Sequence, residues 1–512
     1  MKILLVYPEY PDTFWSFRYA LKFVSTKAPF PPLGLLTVAT MLPEEWEKKL
    51  TDMNVNTLSD EDIKWADYIF ISAMEIQKKS VTEIVDRCQK LGAKTVAGGP
   101  LFSTGFDEFD GVDHLVLNEA EITLPLFLAD LEKGRAQHIY TSSQQPDISK
   151  TPVPLWSLIN MSKYSSMSIQ YSRGCPFDCE FCDIVVLNGH RPRTKNKEQI
   201  GSELETLYNH GWRGKVFIVD DNFIGNKSKL KSEILPTVTS WSKTKKYPFD
   251  FNTEASINLA DDEKLLHLMV EAGFNRVFIG IETPNEESLT ECNKLQNKGR
   301  DLSASVKIIQ NTGLEVQGGF IVGFDNDPLS IFKSQINFIQ RSGIVTAMVG
   351  LLNAPRGTRL YERLQQENRL INGFTGDNTD CSLNFIPKMN SETLINGYKQ
   401  ILNTIYSPGQ YYDRIKTFLK EYRPQRKRKL SLEFNHVKGL IKTIWFLGIK
   451  DKGRKYYWKL LLSSLFKHPQ TLHLSLSFAV YGFHFRKVME NYINKPMKDI
   501  LRYQMPQKQG DC

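Results

Sequence analysis

The sequence reads GCPFDCEFC at residues 174–182, and the rest of the chain is best interpreted from this stretch. It holds three of the seven cysteines, Cys175, Cys179 and Cys182, at Cys-x-x-x-Cys-x-x-Cys spacing. Three thiolates so close together favour a soft metal centre. A [4Fe–4S] cluster usually takes four protein thiolates, so three would leave one iron open to another ligand. Phe177 and Phe181 would give the site an apolar wall.

Two other interpretations use the same cysteines. A zinc knuckle would take His190 as its fourth ligand, but structural zinc sites usually draw their ligands from two pairs. The sequence has no second Cys-x-x-Cys pair. Thiols that serve only in packing are seldom clustered so tightly. We therefore expect the loop to hold an iron–sulfur cluster with one open iron.

Length and cysteine usage predict a cytoplasmic protein of several domains. The 512 residues correspond to about two to four domains. The opening run, residues 1–6, predicts a buried strand and not a signal peptide, because no small-residue cleavage site follows it. The other cysteines are scattered and predict no disulfide framework: Cys88, Cys292, Cys381 and Cys512. A reducing compartment would also protect an oxygen-sensitive cluster.

Residues 1–150 alternate apolar runs with amphipathic stretches, which predicts a parallel, doubly wound (Rossmann-like) α/β sheet. The predicted strands are 2–7, 68–73, 95–97 and 114–117, and the predicted helices are 33–42 and 81–91. Ligands bind beyond the carboxyl ends of such strands. The sequence has Gly98-Gly99-Pro100 at one of these ends and residues 118–121 at another. Glycines there let the backbone approach a bulky ligand closely.

Residues 160–390 repeat strand–helix units and predict a partial (β/α)6 barrel of the TIM type, open on one side. The predicted strands are 168–172, 215–220, 250–254, 276–281, 316–322 and 346–352. The predicted helices include 197–208, 262–272, 302–310 and 330–339. Active groups of such barrels lie at the C-terminal ends of the strands. The cysteine loop directly follows the first strand.

Polar residues end the other predicted strands, at 220–222, 252–256, 280–283, 318–325 and 353–358. Glu254 is the most informative of them, because a carboxylate that ends an otherwise apolar strand needs a partner. Asp325 and Asp327 have a simpler explanation as helix caps or surface charges.

Residues 391–512 predict a helical, basic C-terminal region. Helices are predicted at 392–405 and 412–421. From Arg423 to Lys487 there are fifteen Lys/Arg and two acids, a net charge of +13, which leaves −5 for the rest of the chain from its total of +8. The longest uncharged run, 471–485, is too short to span a bilayer. Two interpretations stay open: peripheral docking on anionic lipid headgroups, or a helical cap with a solvated basic face. Nucleic acid is a weaker candidate, since no nucleic-acid-reading module accompanies the charge.

Several stretches resemble a known family, the radical S-adenosylmethionine (SAM) enzymes that carry an N-terminal cobalamin-binding domain. The N-terminal matches are PPLGL at 31–35, AGGP at 97–100 and NEAE at 118–121. Further matches, SIQYS at 168–172, FCDI at 181–184 and VDDNFIGN at 219–226, resemble the hopanoid 2-methylase group. The resemblance implies a cobalamin-binding-like domain at 1–150, a radical SAM core at 160–390 and a helical basic domain at 391–512.

The resemblance also implies cofactors and site residues. Cys175, Cys179 and Cys182 would hold a [4Fe–4S] cluster. The implied SAM-binding residues are Asp221 and Asn222 near the methionyl amino group, Glu254 and Ser256 near the ribose and carboxylate, Glu282 and Gly323 near the adenosyl end, and Phe181 and Arg193. The implied cobalamin-binding residues are Gly34, Gly98, Gly99, Pro100 and Glu119. The Asp-x-His-x-x-Gly motif, which supplies an axial histidine, is missing, as is common in this subfamily. A vestigial cobalamin domain is therefore the alternative.

The implied reaction is methylation of an unactivated carbon of a hydrophobic, hopanoid-like or other lipid-like substrate. It would proceed through a 5′-deoxyadenosyl radical and methylcobalamin, with electrons from an external donor such as flavodoxin or ferredoxin. A cobalamin-family radical SAM cyclase or rearrangement enzyme would share these motifs, and a non-catalytic cobalamin or redox sensor would share most of them. An RNA methylthiotransferase would need more N-terminal cysteines than Cys88. We expect a cytoplasmic enzyme, with a possible location at the inner face of the membrane.

Overall fold

The computed structural model describes residues 1–424, apart from Asn372 and Asn378, and residues 434–493, apart from His468. Residues 425–433, which belong to the basic stretch from Arg423 to Lys487, and Cys512 lie outside the described residues. The predicted order of two parallel α/β sheets and a helical C-terminal region is confirmed.

The N-terminal sheet has six parallel strands in the order β2-β1-β3-β4-β5-β6. They are β1 (Lys2–Tyr7), β2 (Glu47–Asp52), β3 (Tyr68–Ser72), β4 (Lys94–Gly98), β5 (His114–Val116) and β6 (Ile139–Tyr140). Its helices are Arg18–Val24, Leu33–Met41, Asp60–Trp65, Lys78–Lys90, Pro100–Gly105 and Ala120–Glu132. The sequence did not predict β2 and β6, the two edge strands. The β2 sequence, EKKLTD, carries the charges that edge strands tolerate and buried strands do not.

The second sheet is the predicted open barrel, with six parallel strands in the order β14-β13-β12-β11-β10-β7. The strands of this region are β7 (Met167–Ile169), β8 (Ser172–Arg173), β9 (Arg193–Thr194), β10 (Gly214–Ile218), β11 (Phe249–Ala255), β12 (Phe274–Glu282), β13 (Glu315–Val322) and β14 (Ala347–Leu351). The surrounding helices are Ile184–Asn188, Lys197–Asn209, Lys227–Lys229, Leu235–Thr244, Glu263–Ala272, Glu286–Glu291, Leu302–Asn311, Ile331–Ser342 and Arg359–Gln366.

The first barrel strand is shorter than the predicted 168–172. It ends at Ile169, and β8 instead pairs with β9 in an antiparallel ribbon. The cause is Asp220, whose carboxylate accepts hydrogen bonds from the Tyr171 amide (2.7 Å) and the Ser172 hydroxyl (2.6 Å). These bonds hold the chain away from the barrel just before the cysteine loop begins.

The C-terminal region is helical. Its helices are Ser391–Ile405, Pro408–Glu421, Phe434–Thr443, Ile444–Lys450 (a π-helix), Arg454–Lys467 and Leu472–Val488. The uncharged run at 471–485 lies in the last of these and is largely core: Phe485 is buried against Phe14, with ring centroids 5.4 Å apart. This segment therefore caps the body. Among the described residues, no helix is both long and apolar enough to cross a bilayer.

Candidate functional site

The cysteine loop lies at the C-terminal edge of the barrel and depends on a glycine at its start. Gly174 has φ +92°, and a Cβ there would lie 2.8 Å from the Gly189 carbonyl oxygen. The Cys175 amide donates to that same carbonyl at 3.2 Å, and the Cys182 amide donates to the Cys179 carbonyl at 3.1 Å. Burial raises the pKa of the Cys175 and Cys182 thiols. Without a metal, these thiols would remain protonated.

The geometry of this loop suits a cluster better than a single ion. Within the described residues, no three His, Cys, Asp or Glu side chains gather closely enough to hold one metal ion. His190 is 61% exposed and lies 4.0 Å from Asp178, so a zinc knuckle is not formed. A cubane cluster binds each thiolate at a different iron, which spreads the sulfurs apart. Amide groups of Asn222 and Gln296 approach the Cys175 and Cys179 sulfurs at 3.7 Å, as donors around cluster thiolates do.

A buried ion pair lies beside the cysteines. Lys294 Nζ is 2.7 Å from Glu282 Oε1, and it is 5.9 Å from the centre of the Phe181 ring. Although burial lowers the pKa of Lys294, Glu282 and the nearby Cys179 thiol raise it overall. Glu282 has φ +63°, and a Cβ on Gly280 would lie 2.8 Å from Lys294 Nζ. This glycine therefore makes room for the pair.

Sequence reasoning had identified Glu282 but missed Lys294. The lysine follows a short helix and belongs to no strand end or periodic motif. The only available signal was the need of a buried Glu282 for a cation.

The acidic residues after β10 have different roles. The Asp220 carboxylate accepts the hydrogen bonds from the Tyr171 amide and the Ser172 hydroxyl described above, and burial raises its pKa to about 7. Asp221 accepts a hydrogen bond from the Asn188 amide at 3.2 Å, and burial raises its pKa to about 6. Asn222 lies between the cluster loop and β11, because its Oδ1 accepts from the Ser256 amide and hydroxyl, each at 3.3 Å.

Glu254 is the penultimate residue of β11 and lies beside this group. Burial, followed by the neighbouring Asp221 and Asp220, raises its pKa to about 8. In the described part of the chain no side chain or backbone group hydrogen-bonds its carboxylate. A cationic or hydroxyl-bearing ligand would supply the missing partner. The ammonium group and ribose diol of SAM fit this requirement.

The turn after β13 is structural. Gly323 has φ +110°, and its amide donates to Asp327 Oδ2 at 2.9 Å. Asp327 also accepts from the Ser288 hydroxyl at 2.7 Å, so it serves the turn.

A separate ionic network fixes the cysteine loop from behind. Arg363 bonds Glu180, next to Cys179, at 2.7 Å, and it also bonds Asp325 at 3.0 Å. Arg369 pairs with Asp325 at 2.6 Å. Although burial raises the pKa of Asp325, the two arginines lower it overall to about 2.

A cavity of about 190 Å³ lies at the carboxyl ends of β1, β3 and β4. Its lining consists of Tyr7, Pro31, Pro32, Leu33, Gly34, Leu35, Ser72, Ala73, Met74 and Pro100. A Cβ at Gly34 would meet no atom within 4 Å, so the backbone there is open to a ligand. Gly99 (φ +92°) follows β4 and packs so closely that a Cβ would lie 2.6 Å from Ser72 Oγ. This cradle, with its open backbone at Gly34, would supply one part of the surface that a cofactor as large as cobalamin needs.

Glu119 and Arg193 face each other across the two domains. Their closest atoms are 2.7 Å apart, and Arg173 bonds both Glu119 (2.6 Å) and Glu121 (2.8 Å). All four side chains are at most 14% exposed. The structure thus joins Arg193 and Glu119 into an interdomain ionic clamp and separates them from the Glu254 group and from the lining of the cavity.

Ionic contacts join the barrel mouth to the N-terminal domain. Arg173, directly before the cysteine loop, bonds Glu119 of that domain at 2.6 Å. Arg356, after β14, bridges to Asp107 (2.9 Å) and Glu108 (2.6 Å) of the N-terminal domain. These contacts close the barrel mouth against the N-terminal sheet.

Three family models match the chain in sequence order: a B12 binding domain at residues 23–128, the radical SAM superfamily at 169–338, and a domain of unknown function (DUF4070) at 358–497. An uncharacterized methyltransferase of Synechocystis sp. is 40% identical over 99% of this chain and 96% of its own length. The hopanoid C-2 methylase of Rhodopseudomonas palustris is 33% identical over 91% of this chain and 90% of its own. The structure of OxsB, a cobalamin-dependent SAM radical enzyme, superposes with a TM-score of 0.61 at 17% identity, covering 98% of this chain and 80% of that one.

The protein is therefore a radical SAM enzyme with an N-terminal B12 binding domain. The chain belongs to the family that includes the hopanoid C-2 methylase and the cyanobacterial methyltransferase. Its cofactors are a [4Fe–4S] cluster, SAM and cobalamin. The cysteine loop and the unpartnered Glu254 suit the first two, and the cavity beside Gly34 offers part of a surface for the third.

Proposed function

We propose that this enzyme transfers a methyl group to an unactivated carbon of a hydrophobic, lipid-like molecule. The observation that carries the proposal is the ionic contact between the barrel mouth and the N-terminal domain, where Arg173 bonds Glu119 at 2.6 Å and Arg356 bonds Asp107 at 2.9 Å. When bound, SAM on the cluster would supply a 5′-deoxyadenosyl radical, and cobalamin would supply the methyl group. The names of the two relatives support methyl transfer, and hopanoids are lipids.

The chain's own residues would position the reactants. Cys175, Cys179 and Cys182 would hold the cluster, with Asn222 and Gln296 orienting two of the sulfurs. Asp221, Asn222, Glu254 and Ser256 would form the polar side of the SAM site. Glu282, Lys294 and Phe181 would form its opposite side, where Lys294 would balance the charge of the thiolates. Gly323 would shape the adjoining turn.

The barrel interior supports a hydrophobic acceptor. Phe217, Phe278 and Ile321 are partly exposed and alternate with buried neighbours along β10, β12 and β13, so they face inward. From the N-terminal domain, Phe30 packs on Phe217 with ring centroids 5.2 Å apart, and Trp15 packs on Phe278 at 5.3 Å. An acceptor on this face would meet an aromatic and aliphatic patch, which favours apolar substrates, beside the polar Asn252 and Glu254 that pair with Phe217 and Phe278 in the sheet.

The test is anaerobic reconstitution with iron, sulfide, cobalamin, a reductant and methyl-labelled SAM, followed by mass spectrometry of polycyclic lipids added as acceptors. We expect labelled methyl in the lipid and 5′-deoxyadenosine in solution. Cys179→Ala should abolish both, whereas Cys88→Ala, on the helix Lys78–Lys90 of the N-terminal domain, should retain both.

Two results would contradict the proposal. Deoxyadenosine with a rearranged but unmethylated lipid would indicate the cyclase or rearrangement alternative. An absence of deoxyadenosine from reduced, cluster-loaded protein would favour the non-catalytic sensor.

A further inference from the structure

Residues 434–467 form a helical hairpin: the helix Phe434–Thr443 with its π-helical continuation Ile444–Lys450 is the first arm, and Arg454–Lys467 is the second. The Trp458 indole donates to the Gly448 carbonyl at 2.9 Å, and the hydroxyls of Tyr457 and Thr443 are 3.0 Å apart. Leu447, Tyr457 and Leu460 are buried. The two hydrogen bonds close the hairpin on itself. The ring contacts Phe23–Phe446 (5.7 Å between centroids) and Tyr412–Tyr456 (6.1 Å) fix it to the body, so its outer face is a defined surface.

The outer face of this hairpin is unusually apolar. Nine of the twenty-one exposed large hydrophobic residues in the described part of the chain lie between 440 and 466. They include two stripes at i, i+4, i+8 spacing: Ile441, Trp445 and Ile449 on the first arm, and Trp458, Leu462 and Phe466 on the second. Phe466 is 78% exposed and Ile441 is 62% exposed. Such a cluster marks an interaction surface, whereas single exposed apolar residues do not.

The same hairpin is strongly basic. Residues 434–467 contain eight Lys/Arg and one acid, a net charge of +7 that leaves only +1 for the remaining chain. The single acid, Asp451, is neutralised by Arg486 at 3.1 Å. Lys450 lies over the Trp445 ring, with its Nζ 4.9 Å from the centroid, so charge and aromatic surface are presented together. Tryptophan and phenylalanine beside lysines are typical of helices that lie in the bilayer interface.

We propose that this hairpin docks the enzyme on an anionic lipid bilayer. Its apolar stripes would enter the boundary between headgroups and acyl chains, and its lysines would contact anionic headgroups. A second copy of the chain is a poorer occupant, because two surfaces of +7 would repel each other. The inference rests on the hairpin residues alone and is independent of the methyl-transfer proposal.

The test is sedimentation of the reconstituted, full-length enzyme with vesicles of phosphatidylglycerol and phosphatidylcholine, or of phosphatidylcholine alone. We expect at least tenfold tighter binding to the anionic vesicles at low salt, weakened by added salt. Ile441→Ser/Trp445→Ser/Phe466→Ser should reduce that binding about tenfold or more. Lys450→Glu/Lys455→Glu/Lys459→Glu should reduce it and remove most of its salt dependence.

The matched control is Leu329→Ser/Ile386→Ser, which removes exposed apolar residues elsewhere (71% and 54% exposed) and should bind like the wild type. Deoxyadenosine formation without vesicles should be unchanged in every variant, which verifies that each is folded. The proposal is overturned if the triple serine variant binds vesicles as well as the control does. It is equally overturned if the wild type ignores anionic vesicles, or if it is a dimer that the serine substitutions make monomeric.

Discussion

The barrel mouth and the N-terminal cavity belong to domains that are in direct ionic contact, yet their linings differ in chemistry. The mouth is made of charged and amide side chains, such as Glu254, Lys294 and Glu282, beside three cysteines. The cavity is lined by three prolines, Gly34 and small or apolar side chains, with Tyr7 and Ser72 as its polar members. One site selects its ligand by charge and the other by shape.

This difference follows from the ligands that each region fits. A cluster thiolate and a sulfonium amino acid carry full charges, which need fixed counter-charges in a buried site. A large macrocycle is held mainly by contact area and needs the backbone to stand clear. Substitutions of charge should therefore damage the mouth and spare the cavity, and substitutions of volume should do the reverse.

The largest effect should come from the cysteines. Cys179→Ala removes one of three cluster ligands, and we expect complete loss of the brown iron–sulfur absorbance and of deoxyadenosine formation. Cobalamin binding, measured by absorbance after gel filtration, should stay within about twofold of the wild type, because the cavity keeps its shape. Retention of a stable cluster in this variant, with Cys88→Ala as the control, would contradict the assignment.

Glu254→Gln should have the next largest effect. It keeps the shape but removes a carboxyl that, with its pKa raised to about 8, a bound cationic ligand would hold in the charged form. We expect a loss of about 2 kcal/mol, or roughly 30-fold in SAM affinity. The matched control is Glu263→Gln, whose side chain is 89% exposed. Equilibrium dialysis with SAM on cluster-loaded protein gives the comparison, and equal affinities for the two variants would remove Glu254 from the site.

The two regions also differ in how far the sequence predicts them. The cysteine spacing and the strand-end position of Glu254 are local patterns, so both could be identified before the structure was known. Gly34 and Pro100 were identified by family resemblance, and both line the cavity. Lys294 and the Arg173–Glu119 contact could not be predicted, because they join residues far apart in sequence and belong to no repeated pattern. The partner of Arg193, Glu119, could not be predicted either, because the packing of the two domains brings them together.

Gly34→Phe tests the shape side of the comparison. The backbone accepts a Cβ at this position, so the fold should survive while the ring fills the cavity. A cofactor that must pack against the added ring would lose about 1–3 kcal/mol of binding free energy. We therefore expect cobalamin to bind about tenfold more weakly or worse. Gly34→Ala, which adds only a methyl group, should bind within about twofold, and iron content should be normal in both. Unchanged cobalamin affinity in Gly34→Phe would place the cofactor elsewhere.

The smallest effect should come from the ionic network behind the cysteine loop, and it should depend on pH. Burial raises the pKa of the Asp325 carboxyl, but Arg369 and Arg363, with Lys388 at 3.5 Å, lower it overall from an ordinary 3.8 to about 2. The backbone amide of Asp325 donates to the Glu291 carboxylate. A lowered folded-state pKa gives stability that is complete above the unfolded value near 4 and is lost as the pH falls toward 2. Asp325→Asn should therefore lower the free energy of unfolding by about 1–2 kcal/mol at neutral pH, since solvent at Arg363 weakens the pair.

The measurement is the difference in melting temperature between cluster-free wild type and Asp325→Asn at several pH values. The difference should be constant from neutral pH down to about 5 and should shrink between about pH 4 and 2, because the wild-type carboxylate then becomes protonated. Asp107→Asn is the control: it breaks a pair with Arg356 in which the Asp107 side chain is 61% exposed. It should change the free energy of unfolding by less than about 1 kcal/mol at any pH. A pH-independent difference for Asp325→Asn would mean that the residue acts through packing alone, and the mouth would then depend on shape as the cavity does.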